Sequence, residues 1–392
     1  MLSQIITSPP FLRFISGFLR TFFPVFKISG WAIISRAEDV KEVLTRDRDF
    51  TIAEINSSKM QDVDIDFFLG MDASERHDNE KGVMDAIIKH QDVHVIRHLV
   101  KSRTSALLDA LIENKIDVVG TLSRVVPLVI VEDYFGVPVK YKTKMQQWLR
   151  HLFHHLFLNL TNDEKVGMLA SQSALELKTY MIEVIAEQKA KFKTGSLQSD
   201  TLMHRLLALQ ATTPTITDDY IRRNLCGLMI GAVDTTSKCV VLILEELFRR
   251  PHILAIAKNA DAAKLKSICY EALRFNPHNP IVVRFARQAV RFGKQSQYRL
   301  KPNTRIAASI FSAMHDKVEF PDPAKFNWQR PNEYMHFGYG LHACFGRYIN
   351  AVQIPEIIGG LVQLKNIRKA DVNKGRVVYD GPFPDSFWVE FD

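Results

Sequence analysis

Of the four cysteines in this 392-residue chain, Cys344 stands in a stretch suited to chemistry. Residues 337–346 read Phe-Gly-Tyr-Gly-Leu-His-Ala-Cys-Phe-Gly, and a helical pattern follows from Arg347 to Leu364. Gly338, Gly340 and Gly346 allow positive φ and let a flat ligand come close to the backbone. A thiolate at Cys344 gains from the loop N–H groups and from the N-terminus of the following helix. This set suits a soft, anionic, axial metal ligand beneath a large planar cofactor, and a haem iron fits best. The plain alternative is a buried cysteine in a glycine turn.

A second group is Gly231-Ala232-Val233-Asp234-Thr235-Thr236, midway along a long apolar pattern. An acid and two hydroxyls are expensive there if idle; the alternative is a capped or solvent-facing break. Glu271 and Arg274 have the i, i+3 spacing that puts both on one helix face, and alone they read as a surface pair. His90, His94 and His98 share a helical spacing, as do His151, His154 and His155. No thiolate or carboxylate stands at matching spacing, so a zinc site is unconvincing. The first cluster reads as polar surface beside Lys89, Arg97, Lys101 and Arg103.

The elements that must position these groups are mostly helical. Periodicity and breaks predict helices over 78–100, 104–113, 118–135, 142–159, 165–193, 201–210 and 218–250. Breaks fall at Pro138, at Thr161-Asn162-Asp163 and at Thr213-Pro214. Further helices are expected near 252–259 and 262–275, then short strands at 281–286, 296–300 and 304–308. Earlier, residues 25–34 read as a β-hairpin and 37–44 as a helix with Ser35 as its N-cap. No period holds over 50–70, which reads as a loop that is badly ordered or lines a pocket. With no repeat and no linker, residues 1–392 read as one large, mainly helical domain with a small β part.

Composition agrees: 46% hydrophobic and 24% charged residues are globular proportions. The cysteines show no CxxC pair, which reads as reduced, intracellular thiols and a cytoplasmic protein. A formal charge of +8 suits a membrane surface or an acidic protein partner. Nucleic acid is not expected, because no Lys/Arg block is interleaved with aromatics. The apolar N-terminal segment, residues 1–24, is too short and interrupted (Arg13, Arg20, Pro24) to span a bilayer. It reads as a first helix packed on the body, or as a surface helix touching a membrane.

The Cys344 loop resembles the haem-binding signature of the cytochromes P450 through Phe337, Gly338, the basic residue His342, Cys344 and Gly346. The order of elements resembles that family over nearly the whole chain, in its bacterial-type length. The resemblance implies a helical prism with a small β part and a long central helix over haem b. It implies that Glu271 and Arg274 are buried and join Arg330 to hold the Cys loop. It also implies that residues 231–236 form an oxygen-activating groove, with Thr235 bonding dioxygen or its water and Asp234 feeding protons. Ala232 stands where the family has glycine. The cofactor's carboxylates would meet His77, Lys81, Arg284 and His342. Lys81 replaces the usual arginine and loses its fork, and one extra residue separates Asp72 from His77.

The function so implied is a haem-thiolate monooxygenase that inserts one atom of dioxygen into a small organic molecule. The chain carries no flavin or iron–sulfur module, so electrons come from a separate ferredoxin- or flavodoxin-like donor. The Asp234-Thr235 pair argues against a peroxide-driven enzyme and against the alternative, a non-catalytic haem-thiolate sensor. Residues expected to face the substrate are Phe67, Phe68, Gly227, Ile230, Gly231, Pro280 and Val282. They are apolar, so a lipophilic substrate is expected. A monomer is expected.

Overall fold

A computed structural model describes residues 9–196, 200–331 and 333–392. The first eight residues of the N-terminal segment lie outside that range. The chain divides into two compact units: Met1–Ile55 with Met71–Ser74 and Leu242–Arg347, and Asn56–Gly70 with Glu75–Val241 and Tyr348–Asp392.

The first unit is built on a four-stranded sheet, ordered Val25–Ile28, Trp31–Ile34, Thr304–Ala308, Val282–Ala286. The hairpin expected at 25–34 is present, with Val25 opposite Ile34. The middle pair is parallel, with Trp31 opposite Arg305. Ile34, Val40, Val43, Leu44, Phe50, Phe292, Ile306, Phe320 and Met335 make one apolar core against this sheet. The helix Ala37–Thr45 starts at the expected residue, but Ser35 is not its N-cap. Its N-cap is Arg36, without a side-chain cap bond, while Ser35 donates its N–H to Pro24.

The loop expected over 50–70 contains a helix, Ala53–Asp62. Its sequence, Ala-Glu-Ile-Asn-Ser-Ser-Lys-Met-Gln-Asp, has no apolar stripe, so periodicity carries no signal. Asp72 supplies the missing start: its Oδ1 accepts the N–H of Ile52 at 2.7 Å and of Ala53 at 3.1 Å.

The N-terminal helix, Pro9–Phe22, packs on the first unit. Arg20 donates to the Ser312 carbonyl and hydroxyl at 2.8 Å, and Arg13 lies over the Phe275 ring. The same helix leaves Phe14 and Phe18 exposed, and Phe22 and Phe23 at its end are exposed too.

The second unit is helical, with small sheets near the C-terminus. The expected helix over 78–100 is split into Glu75–Ile87 and Val93–Asp109. Asp92 makes the break: it accepts the Lys89 N–H at 3.1 Å and the Tyr134 hydroxyl at 2.8 Å, and pairs with Arg205. The bonds to Tyr134 and Arg205 are long-range, and local spacing does not encode them. The region 118–135 is a chain of short π- and α-helical turns. Pro127, which lacks an N–H donor, sits inside it. Glu164–Lys193 is a single 30-residue helix, with Asp163 accepting the Val166 N–H as N-cap.

The pattern over 218–250 is two helices, Asp218–Ala232 and Asp234–Phe248, meeting at Val233. Taken together they are long and apolar enough to cross a membrane, but 78% of the apolar window is buried in the protein. That is a core helix.

Candidate active site

In the first unit, the Cys344 loop is shaped by two left-handed glycines, Gly338 at φ +75° and Gly340 at φ +71°. A Cβ on Gly340 would stand 2.2 Å from the Leu44 carbonyl oxygen, so no other residue fits. The Cys344 N–H donates to the Phe337 carbonyl at 2.6 Å, closing the turn. Cys344 is half-buried, whereas Cys226, Cys239 and Cys269 are fully buried. Burial pushes the Cys344 thiol up, with the Gly346 N–H and the Arg347 charge acting in the opposite direction. A bound metal cation would reverse that balance, as it does for any coordinating thiol.

Glu271 and Arg274 are both fully buried. They form a fork, with Nη2 to Oε1 at 2.8 Å and Nε to Oε2 at 2.9 Å. Arg330 Nε stands 3.4 Å from the same Oε1. The remaining donors and acceptors are filled. Arg274 donates to the Pro323, Lys325 and Met314 carbonyls, and Glu271 accepts the Asn327 N–H and the Tyr334 hydroxyl. A buried ionic cluster is tolerable only when so completed. Tyr334, at 2.8 Å, is a member that sequence spacing did not reveal. The cluster ties the helix Ala262–Phe275 to the chain leading into the Cys loop.

Arg284 is the unusual cation of this unit. It is buried on the strand Val282–Ala286 and donates to the neighbouring Val283 carbonyl at 2.9 Å. Its Nε has no partner among the described residues. Burial lowers its pKa to about 10, with Asp47 and Asp72 acting against that. Asp47 also stands 3.9 Å from His342. A buried guanidinium with spare donors fits an anionic ligand. A planar, metal-bearing cofactor with carboxylate arms matches this donor set of thiol, guanidinium and imidazole. Pro280 and Val282 lie in this unit, and the Pro280 carbonyl accepts the Phe311 N–H.

In the second unit, Asp234 is buried and stands 3.0 Å from Arg150 and 3.1 Å from Arg124. Arg150 also reaches two exposed carboxylates, Asp380 at 2.9 Å and Asp385 at 3.1 Å. The Oδ2 of Asp234 accepts no hydrogen bond from any described residue. Thr235 donates its hydroxyl to the Gly231 carbonyl at 2.5 Å, across the break at Val233. Thr236 bonds Asn350 at 3.0 Å, so the two adjacent hydroxyls have separate partners. A Cβ on Gly231 would meet nothing within 4 Å: the helix face there is open. Neither Arg124 nor Arg150 lies in a motif, and sequence reading missed both.

Phe67 and Phe68 are buried. The Phe67 ring lies against Gly227, where a Cβ would be 2.5 Å away, and Ile230 is buried one turn on. His77 is buried, with Nδ1 2.9 Å from Asp78 and its ring edge-on to Phe68. Lys81 pairs with Asp85 along its own helix. Among the described residues no three ligating side chains gather as a metal site. His151 bonds Ser173 at 2.9 Å, His154 packs on Phe383, and His90 packs on Tyr348.

The family description Cytochrome P450 matches residues 20–364. The chain is 23% identical over 320 residues to the polyketide biosynthesis cytochrome P450 PksS of Bacillus subtilis, covering 79% of this chain and 72% of the relative. It is 25% identical over 348 residues to cytochrome P450 NovI of Streptomyces niveus, covering 86% and 80%. The crystal structure of CalO2 superposes with a TM-score of 0.84 at 20% identity, over 98% of this chain and 96% of that one. The chain therefore belongs to the cytochrome P450 family, has its fold, and is a haem-thiolate oxidoreductase carrying iron protoporphyrin IX.

Proposed function

We propose that this cytochrome P450 inserts one atom of dioxygen into a lipophilic small molecule and reduces the other to water. Electrons come from a separate ferredoxin- or flavodoxin-like protein, and a chain of net charge +8 suits an acidic donor. When bound, the haem thiolate supplies the electron push that favours O–O cleavage.

In this reading Cys344 would hold the haem iron through its thiolate. Phe337, Gly338 and Gly346 shape its loop, and the Glu271–Arg274–Arg330 cluster holds that loop still. Arg284 and His342 take the cofactor's carboxylates, with His77 and Lys81 as further contacts. Phe67, Phe68, Gly227, Ile230, Gly231, Pro280 and Val282 present an apolar lining to the substrate. Asp234 would take up a proton at its spare Oδ2 and hand it to the Thr235 hydroxyl, which would turn from the Gly231 carbonyl and release its own proton toward dioxygen. Arg150, bonded at once to buried Asp234 and to exposed Asp380 and Asp385, links the acid to the surface.

The observation that carries this reading is a buried Asp234 with a spare oxygen beside Thr235 on an open helix face. A sensor has no use for such a pair. Thr235→Ala tests it, with a competent electron donor and a substrate that shifts the haem spin state. Haem spectrum and substrate binding should persist. More of the electrons should end as hydrogen peroxide and fewer as product. Coupling equal to wild type would make the pair structural and favour the sensor.

The location proposed is the cytoplasm, at the surface of a membrane. Its support is the exposed Phe14, Phe18, Phe22 and Phe23, which a lipid interface would cover. Flotation of the protein with lipid vesicles should be lost in Phe14→Ser/Phe18→Ser; no flotation of the wild type would refute the membrane surface, and equal flotation of both proteins would refute these rings as its anchor.

A further inference from the structure

The helix Ala53–Asp62 buries two side chains, Met60 and Lys59. Lys59 is 5% exposed, and its ammonium donates to the Asn159 carbonyl at 2.6 Å. That bond uses one of its three donors. No carboxylate among the described residues makes an ion pair with it, and burial alone moves its pKa, downward. Beside it, at the end of the helical run that begins at Lys142, His155 is 7% exposed. Neither of its ring nitrogens has a hydrogen-bond partner among the described residues. The nearest acid, Asp62, is mostly solvent-exposed and stands 3.9 Å away, beyond hydrogen-bond reach. Lys59 is close enough for its charge to act on His155, in the same sense as burial. The Asn159 side chain is turned to the Asp163 backbone, accepting its N–H at 2.7 Å and donating to its carbonyl at 3.0 Å.

A buried ammonium without a counter-charge, next to a buried imidazole without a hydrogen-bond partner among the described residues, is a costly arrangement for a folded chain. An anion accepting from both would complete it. One ammonium and one imidazole suit a single negative charge better than a phosphate. The chain leaves this helix directly into the buried apolar residues Val63, Ile65, Phe67 and Phe68. We infer that Lys59 and His155 anchor the carboxylate of an amphipathic substrate, so that the molecule oxidised is a lipophilic acid. This rests on the monooxygenase reading and names the substrate class within it.

The test uses the haem-loaded protein and spin-state titration with straight-chain acids from decanoic to octadecanoic, each paired with its methyl ester. Wild type should bind at least one acid about tenfold or more tightly than its ester, the scale of one charged hydrogen bond. Lys59→Met should remove that preference, Lys59→Arg should keep it, and His155→Phe should weaken it. Without ligand, Lys59→Met should melt no lower than wild type, since it removes an unpaired buried charge. Equal binding of every acid and its ester by wild type would overturn the inference. So would a lower melting temperature of Lys59→Met with the acid preference intact, which makes Lys59 a structural clasp on Asn159. Coupling in Thr235→Ala is read separately, so the monooxygenase reading stands or falls on its own measurement.

Discussion

Asp234 and Arg150 lie 3.0 Å apart, and both are almost wholly buried. The pair joins the break in the central helix to the surface carboxylates Asp380 and Asp385. Removing one partner of a buried pair leaves a bare charge, at a cost of about 3–5 kcal/mol. Arg124 stands near enough to offset part of it. Arg150→Met is expected to lower the unfolding free energy by about 3 kcal/mol in denaturant titrations. Adding Asp234→Asn should recover part of that loss. A double variant no more stable than Arg150→Met would show that the two residues are not energetically paired.

Cys344→His should abolish the red-shifted Soret band of the ferrous carbon monoxide complex, which reports thiolate ligation. Alanine at Cys226, Cys239 or Cys269 should leave the band in place. Cys226 in particular is fully buried, its thiol pushed up to about 12 by desolvation, far from a ready thiolate. Persistence of the band in Cys344→His would transfer the ligand role to another cysteine.

Arg284→Ala should weaken haem retention, measured by transfer to apomyoglobin, by about 1–3 kcal/mol for a lost charged hydrogen bond. Lys81→Ala should cost less, because Lys81 already pairs with Asp85 and lacks a guanidinium fork. Equal haem loss in the two variants would reverse this ranking.

Asp39 is buried with neither carboxylate oxygen hydrogen-bonded among the described residues. Desolvation, then the charges of Glu38, Glu42 and Asp316, raise its pKa to about 6, with Arg36 opposing. The folded state therefore holds its proton more tightly than the unfolded chain does. Stability from this group is present below about pH 4 and is lost as pH rises to about 6. Asp39→Asn should raise the melting temperature at pH 7 and change it little at pH 4. A gain of equal size at both values would rule out protonation as the cause.

Local spacing carried much of the site. The Cys344 loop is legible because two of its glycines, Gly338 and Gly340, meet a local demand for positive φ. Asp234-Thr235 is legible because polar residues interrupt an apolar run, and such an interruption is expensive unless used. The sheet strands at 282–286 and 304–308 follow from β-rich runs between turn signals.

The partners of these groups come from far along the chain. Arg150 reaches Asp234 across 84 residues, and Tyr334 reaches Glu271 across 63. Asp92 ends a helix whose periodicity runs straight through it, because Tyr134 and Arg205 arrive to bond it. The helix Ala53–Asp62 lacks an apolar stripe and takes its start from Asp72. By itself, the sequence determined the thiolate loop, the acid–alcohol pair and the family they belong to, since these depend on neighbours within a few residues. Only the tertiary structure decided which charges are paired, which have no ion-pair partner among the described residues, as at Arg284 and Lys59, and where the long helix breaks. Burial and long-range hydrogen bonds set those outcomes, and neither leaves a periodic trace in the order of residues.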